Sequence, residues 1–480
     1  MSTLLSRLIL GLSLILALCS QAHAAIPDSS LKGAACFISD TKSRVLVVMD
    51  YLNRKYSIPG GYIDRGETPA EAAAREAFEE TGLKVAVGKP LMTTDSAVIF
   101  DCFTDAPIPV FERDGKATIA AWHAPDFSRE IKYANFVEPS TNLIKHSRYP
   151  EQAEMFKHWM VLSSPSLIQS HDDFSDNASP FFVQQAQINE RFQSFIAGLP
   201  SPLSGLAQQF FKHAHLIGNS VLFGVLMLAG MITGGMRRLS SALLVAMLTV
   251  IAVQVTKLIF GVPRPMQIFP ALQLADASGF SMPSGHTTTA FAVWLTFWSW
   301  FAKESENKRF WLLTALAGGV IVGASRVYVG AHYLTDVTAG AVFGTLVFVL
   351  SQWLSKERAN GNTLSLHPVV WLAMAAILVP AAAYFSFPVL IIAAVATLTI
   401  AGVLQVMKCA NPGLLRQSMS LKRIIETLSL PAVIAAAGLI ASLFSRSSLL
   451  TLEVMIVVVM LSASWLVGYP LYQAKRASRQ

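Results

Sequence analysis

The chain has 480 residues, 53% hydrophobic and only 14% charged. That is too apolar for a soluble enzyme and too often interrupted by polar stretches to be membrane throughout. The net charge of +7 does not indicate a nucleic-acid polymer as partner, because the cations sit in short loops between apolar runs, as the positive-inside rule places them. Four cysteines without C-x-x-C spacing exclude a zinc ribbon or a thioredoxin-type site.

Residues 1–24 read as a secretory signal. Arg7 precedes an apolar core from Leu8 to Leu18, and Ala22-His23-Ala24 offers small residues for cleavage. The core is too short to span a bilayer comfortably. Cleaved or kept, such a segment sends the chain behind it across the membrane.

Residues 25–175 have the composition of a globular domain. The runs Ala34–Ser39 and Val45–Tyr51 read as strands, with more near Val85–Val87, Ala97–Phe103 and Ala117–Trp122. Between them Pro59-Gly60-Gly61 breaks the chain and Pro69–Thr81 reads as a helix. Pro69 opens it, Glu71 lies in the first turn and Gly82 stops it. A closing helix is expected near Gln152–Val161. Cys36 and Cys102 both fall on expected strands. They form a disulfide if those strands are neighbours in an oxidising compartment, and are otherwise buried free thiols.

The helix sets Glu76, Glu79 and Glu80 on one face, where like charges repel by a few tenths of a kcal/mol per pair unless a cation sits among them. Oxygen ligands on a rigid element suit Mg²⁺ or Mn²⁺, and Glu67 in the preceding loop either joins them or pairs with Arg75. Gly61, five residues, Glu67, seven residues and then Arg75-Glu76-Ala77-Phe78-Glu79-Glu80-Thr81-Gly82-Leu83 resembles the complete box of the Nudix hydrolases. The resemblance implies an α/β/α sandwich and metal-assisted cleavage of a diphosphate linkage, in a nucleotide or another diphosphate. It implies Glu76, Glu79 and Glu80 as metal ligands or base, Arg75 as the group that orients them, and Gly61 and Gly82 as support.

Residues 176–360 begin with a turn at Asp176–Pro180 and an amphipathic run from Phe181 to Ala197, expected to lie on the bilayer surface. Apolar segments come next at 216–235, 240–260, 285–302, 310–330 and 335–354. Residues 361–480 add 368–386, 388–407, 425–444 and 449–471, so the second half reads as an all-α polytopic membrane domain of about nine transmembrane helices. If residue 176 is outside, Arg237-Arg238, Lys303 with Lys308-Arg309, Lys356 with Arg358, Lys408 with Lys422-Arg423, and Lys475-Arg476 all fall inside. The last four segments carry almost no charge, and a structural or lipid-contacting role is expected of them.

Three polar islands interrupt this apolar stretch. They are Lys257 with Arg264-Pro265, then Pro283-Ser284-Gly285-His286, then Ser325-Arg326 with His332 and Asp336. Each ionisable side chain costs roughly 2.5–3.5 kcal/mol at the centre of a membrane helix, so such a cluster implies a task. The expected topology puts all three at the outer helix ends, with the N–H groups of Ser284, Gly285 and His286 opening a helix as a phosphate seat. K-x₆-R-P, P-S-G-H and S-R-x₅-H-x₃-D match the three signatures of the type 2 phosphatidic acid phosphatase (lipid phosphate phosphatase) superfamily. The resemblance implies His332 as a nucleophile that forms a phosphohistidine, Asp336 as its support and His286 as the acid. It implies Lys257, Arg264, Ser284, Gly285 and Arg326 as phosphate-binding, and no metal cofactor at this site. It also implies six core helices where about five are legible; the signal segment or the amphipathic run supplies the other.

Together these features predict a bifunctional hydrolase of the inner membrane with both sites on the periplasmic side. Undecaprenyl diphosphate is the leading expected substrate of the membrane site. The alternative is a phosphatidylglycerol phosphate or phosphatidic acid phosphatase whose Nudix domain is a binding or regulatory module.

Overall fold

The computed structural model describes residues 31–359, 361–407 and 415–477. The expected signal segment, Lys408 and the last three residues lie outside them. The chain divides into two compact units, one within residues 1–171 and the other built on 172–480 with the short segments 50–54 and 128–132.

The first unit is rich in sheet. Its strands are β1 (Gly33–Ile38), β2 (Val45–Asp50), β3 (Tyr56–Ser57), β4 (Gly60–Tyr62), β5 (Ala86–Thr93), β6 (Ala97–Phe103), β7 (Ile108–Arg113), β8 (Lys116–Ile119), β9 (Ile131–Val137) and β10 (Ile168–Ser170). One sheet runs β4-β1-β6-β5 and the other β10-β7-β8-β9-β2-β3, with β1 and β6 parallel. Strand alternation gives β1 two different faces. Phe37 joins Val45, Val47, Ile99, Phe156 and Trp159 in one core, its ring edge-on to Trp159 at 5.6 Å. Cys36 turns the other way, its Sγ 3.4 Å from the Ala73 carbonyl of helix α1 (Pro69–Thr81), and bonds to Cys102 on β6. Of the two states open to these cysteines, the disulfide is the one the structure has. Helix α2 (Phe156–Leu162) brings Trp159 and Phe156 to the Phe37 face, so helices cover both sides of β1, as a sandwich requires. A buried aromatic of this kind is worth about 3–5 kcal/mol against alanine.

The expected helix near Gln152–Val161 is present but interrupted at Met155, which separates the short helix Pro150–Glu154 from α2. It also adds strands at Gly60–Tyr62, Ile108–Arg113 and Ile131–Val137, which the sequence pattern does not mark.

The second unit is helical: α3 (Pro180–Ala197), α4 (Leu203–His213), α5 (Val221–Val250), α6 (Gly285–Phe301), α7 (Lys308–Tyr328), α8 (Leu334–Ser355), α9 (Pro368–Phe385), α10 (Pro388–Val406), α11 (Leu421–Phe444) and α12 (Ser448–Ala477). Among the described residues seven helices are long and apolar enough to cross a membrane, not nine. The expected segments 216–235 and 240–260 fall within one apolar run, Val221–Ile268, which two helices share, separated where Gly234 and Gly235 leave helical geometry. The segment 285–302 is α6, whose 17 residues are short for a span. A polytopic membrane protein remains.

Helix α8 shows why these helices need lipid. Val342, Leu346, Val349, Leu350 and Trp353 line its exposed face, while Val337, Gly340, Gly344, Val347 and Leu354 are buried on the other, so the helix is apolar all round. Gly340 and Gly344 let it approach α6 closely. A Cβ at Gly340 would lie 2.8 Å from the Ser284 carbonyl, and one at Gly344 would lie 2.7 Å from Phe291 Cβ. This contact sets the start of α6 beside the start of α8.

Candidate active site

The three polar islands of the helical unit meet around the His332 imidazole. After α7 the chain turns at Gly330, with φ +72°, where a Cβ would collide with the Leu272 carbonyl. Asp336 occupies the third position of α8 and accepts from the Tyr333 N–H at 2.8 Å, so the same carboxylate caps the helix and faces the imidazole.

His332 is 2% exposed. Its Nε2 lies 3.1 Å from Arg264 Nη1, and its Nδ1 lies 3.3 Å from Ser281 Oγ and 3.5 Å from Asp336 Oδ2. A guanidinium only donates, so Nε2 carries the lone pair and Nδ1 the proton. The Ser281 hydroxyl donates to Asp336 Oδ2 and offers its own lone pair to that Nδ1–H. Burial first, then the charges of Arg264, Lys257 and Arg326, hold the His332 pKa well below the usual imidazole range. The neutral form, which is the nucleophilic one, is therefore favoured.

Two of the cations are fixed by backbone carbonyls. Lys257 Nζ donates to Phe280 O at 2.5 Å and Ser281 O at 2.9 Å. Arg264 donates to the carbonyls of Ser278, Gly279 and Ala331 at 2.8–3.1 Å. Arg326 is 4% exposed, and its Nε has no hydrogen-bond partner among the described residues. Desolvating a guanidinium without full compensation is costly, which fits a cation held for an incoming anion.

Ser284 caps α6, its Oγ accepting from the Thr287 N–H and hydroxyl, with Gly285 and His286 opening the helix. The sequence pattern points the Ser284 N–H at phosphate; in the structure it donates to the Asp336 carbonyl at 3.0 Å. His286 stands on the first turn of α6, its ring centroid 5.5 Å from that of His215, which carries no motif and reads in the sequence as an ordinary histidine. Ser281 is likewise missed by sequence reasoning. It lies two residues before a recognised island, but a lone serine among apolar residues gives no signal.

Helix α3 does not have the purely apolar inner face expected of a surface helix. Ala186, Asn189 and Ile196 are buried, while Phe181 and Phe195 are exposed. Asn189 and Gln193 donate into the loops around the site.

The sheet-rich unit brings its carboxylates together around one guanidinium. Arg75 donates to Glu67 at 2.9 and 3.1 Å, to Glu76 at 2.9 Å, to Glu79 at 2.7 Å and to the Tyr62 carbonyl at 2.8 Å. Glu80 accepts from the Gly60 N–H at 3.0 Å. Gly61 leaves room for the Glu76 carboxylate, which a Cβ there would push aside. Gly82 closes α1 at φ +76°, its N–H on the Phe78 carbonyl. Among the described residues no three ligand side chains stand in an arrangement that holds a metal ion, since Glu67, Glu76 and Glu79 all turn to Arg75. All of these donors are carboxylates, the ligand type that a hard cation takes, and Arg75 is the cation on which Glu67, Glu76 and Glu79 converge.

Two family matches divide along the same line. Residues 30–165 match the NUDIX domain and residues 238–359 match the PAP2 superfamily. A relative named phosphatidylglycerophosphatase B, from Bacillus subtilis, is 38% identical over 81 residues, 16% of this chain and 40% of that protein. A MutT-like protein from Streptomyces ambofaciens is 31% identical over 87 residues, 17% of this chain and 56% of that one. The chain thus spans about half or less of the length of either relative. The crystal structure of a transmembrane PAP2-type phosphatidylglycerolphosphate phosphatase from Bacillus subtilis is similar at 25% identity and a TM-score of 0.29. That match covers 36% of this chain and 90% of the other. With its box from Gly61 to Leu83 and its three polar islands in place, the chain joins a NUDIX domain to a PAP2-superfamily domain in one multi-pass membrane polypeptide.

Proposed function

We propose that the helical unit removes a terminal phosphate from a lipid phosphate or diphosphate, best undecaprenyl diphosphate, through a phosphohistidine on His332. The observation that carries this reading is the orientation of His332, with Nε2 toward Arg264 and the protonated Nδ1 toward Ser281 and Asp336. In the first step Nε2 attacks phosphorus, the bond to the leaving oxygen breaks, and His286 gives that oxygen a proton. Arg264, Lys257 and Arg326 neutralise the charge of the transferring phosphoryl group, with Ser284 and Gly285 at the mouth of α6 beside them. Water, deprotonated by His286, then releases phosphate and restores His332. None of these steps draws on a metal.

The test is phosphate release from undecaprenyl diphosphate in the presence of EDTA. Wild-type protein is expected to release phosphate and His332→Ala to lose at least about 10³-fold in rate, the scale of removing a catalytic group. Unchanged release in that variant would sink the assignment. The relative named phosphatidylglycerophosphatase B favours a second reading, in which the lipid is phosphatidylglycerol phosphate. A substrate panel that includes phosphatidic acid separates the two.

For the NUDIX domain we propose a diphosphate hydrolase with Mg²⁺ or Mn²⁺ at Glu76, Glu79 and Glu80, and Glu67 beside them. The metal would supply charge neutralisation on the diphosphate and an activated water. Arg75 gathers the carboxylates, and Gly61 lets the loop close over Glu76. Glu79→Gln is expected to remove a Mg²⁺-dependent activity on nucleotide or lipid-linked diphosphates and leave the EDTA-resistant one. If wild-type protein has no metal-dependent activity on either class, the domain is a binding or regulatory module. Both sites are proposed to lie on the periplasmic side of the inner membrane. Supporting this are the basic loops Arg237-Arg238, Lys303 with Lys308-Arg309, and Lys356 with Arg358, together with the Cys36–Cys102 disulfide. A compartment-sensitive reporter fused after residue 175 tests the side.

A further inference from the structure

The loop that carries His332 is held by a helix that neither family match includes. Helix α3 lies before residue 238, where the PAP2 match begins. Its Asn189 is 0% exposed and spans the two sides of this loop, its amide donating to the Val327 carbonyl in the last turn of α7 at 2.8 Å and to the His332 carbonyl at 2.9 Å. The His332 N–H donates to the Arg326 carbonyl at 3.2 Å. The backbone of the nucleophile is therefore tied at both ends, on the carbonyl side by Asn189. One turn further along α3, Gln193 donates to the Tyr328 carbonyl at 2.7 Å and the Leu272 carbonyl at 2.9 Å. Phe182, nearly two turns before Asn189, stacks on Tyr333 with ring centroids 5.3 Å apart.

We propose that Asn189 is a positioning residue for His332, the buried amide that fixes where the nucleophile's imidazole stands relative to Arg264, Ser281 and Asp336. The proposal rests on the phosphohistidine reading above. The chemistry selects an amide. The loop presents carbonyls only, so the side chain must be a double donor, and a cation there would add to the charge of Arg264, Lys257 and Arg326. Asn189 Oδ1 is buried without a hydrogen-bond partner among the described residues, so the group is oriented for its two donors alone. The amide donates to neither of the Lys257 acceptors, Phe280 O and Ser281 O, nor to the Ser278 and Gly279 carbonyls that hold Arg264; only the third Arg264 acceptor, the Ala331 carbonyl, belongs to the loop that Asn189 ties. Its loss is therefore expected to misplace the attacking atom while Lys257 and the Ser278 and Gly279 bonds of Arg264 stay in place, an error that costs on the order of 10²-fold when the displacement is about 1 Å.

The test uses the full chain with the lipid phosphate that wild-type protein turns over. Asn189→Leu, of similar branched shape with no donor, is expected to lower kcat by roughly 10²-fold, with KM and inhibition by vanadate within about twofold of wild type. The unfolding midpoint is measured alongside, so that kcat is expressed per folded molecule. An unchanged kcat, or a parallel weakening of KM and vanadate inhibition, overturns the proposal. Should Asn189→Leu not fold, Asn189→Ser, which reaches one carbonyl at most, is expected to show the same split at a smaller loss; wild-type kcat there overturns it equally. A second readout does not depend on the phosphatase reading. Carbethoxylation of His332 by diethyl pyrocarbonate, followed by peptide mass spectrometry, is expected to be several-fold faster in the variant. If wild-type protein hydrolyses no lipid phosphate, the functional reading fails while this rate still decides the role of Asn189, and an unchanged rate rejects it.

Discussion

His332 and Asp336 stand with Nδ1 and Oδ2 3.5 Å apart, and the Ser281 hydroxyl lies within reach of both. The carboxylate therefore orients the imidazole partly through a neutral hydroxyl. A hydrogen bond to a charged group contributes about 1.5–3 kcal/mol, and here part of it acts through Ser281. Ser281→Ala is expected to lower kcat roughly tenfold, well short of the loss in His332→Ala. Steady-state kinetics of the two variants side by side check this, and equal losses would mean that Ser281 does more than relay.

That relationship also shows what is legible in the chain. His286, His332, Asp336 and the three cations announce themselves because charge is expensive among apolar residues and their spacing is fixed within short motifs. Ser281 and Asn189 give no such signal. They are neutral, cheap to bury when bonded, and Asn189 meets its acceptors across 138 and 143 residues of chain. The break at Gly234–Gly235 is legible, because Gly234-Gly235 and the basic pair Arg237-Arg238 divide the apolar run where the structure separates two helices. In the sheet-rich unit, helix α1 is legible to the residue because Pro69, Glu71 and Gly82 mark both ends; the structure adds a Thr68–Glu71 capping box. Strand β4 is not, since it is built from Gly60-Gly61-Tyr62, a sequence that reads as a turn.

The depressed pKa of His332 sets a pH dependence. The attacking ring must be neutral, and burial with the neighbouring cations moves its protonation below the ordinary imidazole value. Activity is then lost as pH falls through this lowered pKa, so the acid limb of kcat/KM is expected below about pH 6.5, the unperturbed value. A pH–rate profile measured with EDTA present checks it. An acid limb at or above that value would contradict the geometry around Nε2.

Arg75 and Glu67 couple stability of the sheet-rich unit to acid. The hydrogen bond from Arg75 is the largest influence holding the Glu67 carboxyl below its ordinary pKa. A lowered folded pKa contributes stability that is present above the unfolded value of about 4.3 and is lost as pH falls through the folded value. The wild-type unfolding midpoint is therefore expected to drop as pH is taken below about 4. In Arg75→Gln this component of the drop should be absent, because the partner is gone at every pH. Thermal unfolding at pH 7 and pH 3, in low salt, compares the two chains; identical pH dependence would show that the pair contributes nothing.

The Cys36–Cys102 bridge ties the parallel neighbours β1 and β6 beneath helix α1. Sixty-six residues separate the two cysteines, so closing that loop in the unfolded chain removes entropy worth about 4 kcal/mol on the chain-entropy account. For a unit of this size each kcal/mol moves the midpoint by roughly 2–4 °C or somewhat more. Reduction, or Cys36→Ala with Cys102→Ala, is thus expected to lower the midpoint of the sheet-rich unit by about 10 °C. The double variant matters, because a single substitution leaves an unpaired thiol beside the Ala73 carbonyl. Thiol labelling with peptide mapping supplies the complementary measurement. Chain carried across the membrane should show Cys36 and Cys102 protected until reductant is added, whereas chain retained in a reducing compartment should show both labelled. A midpoint insensitive to reduction would mean that β1 and β6 are held by Phe37, Ile99 and Trp159 alone.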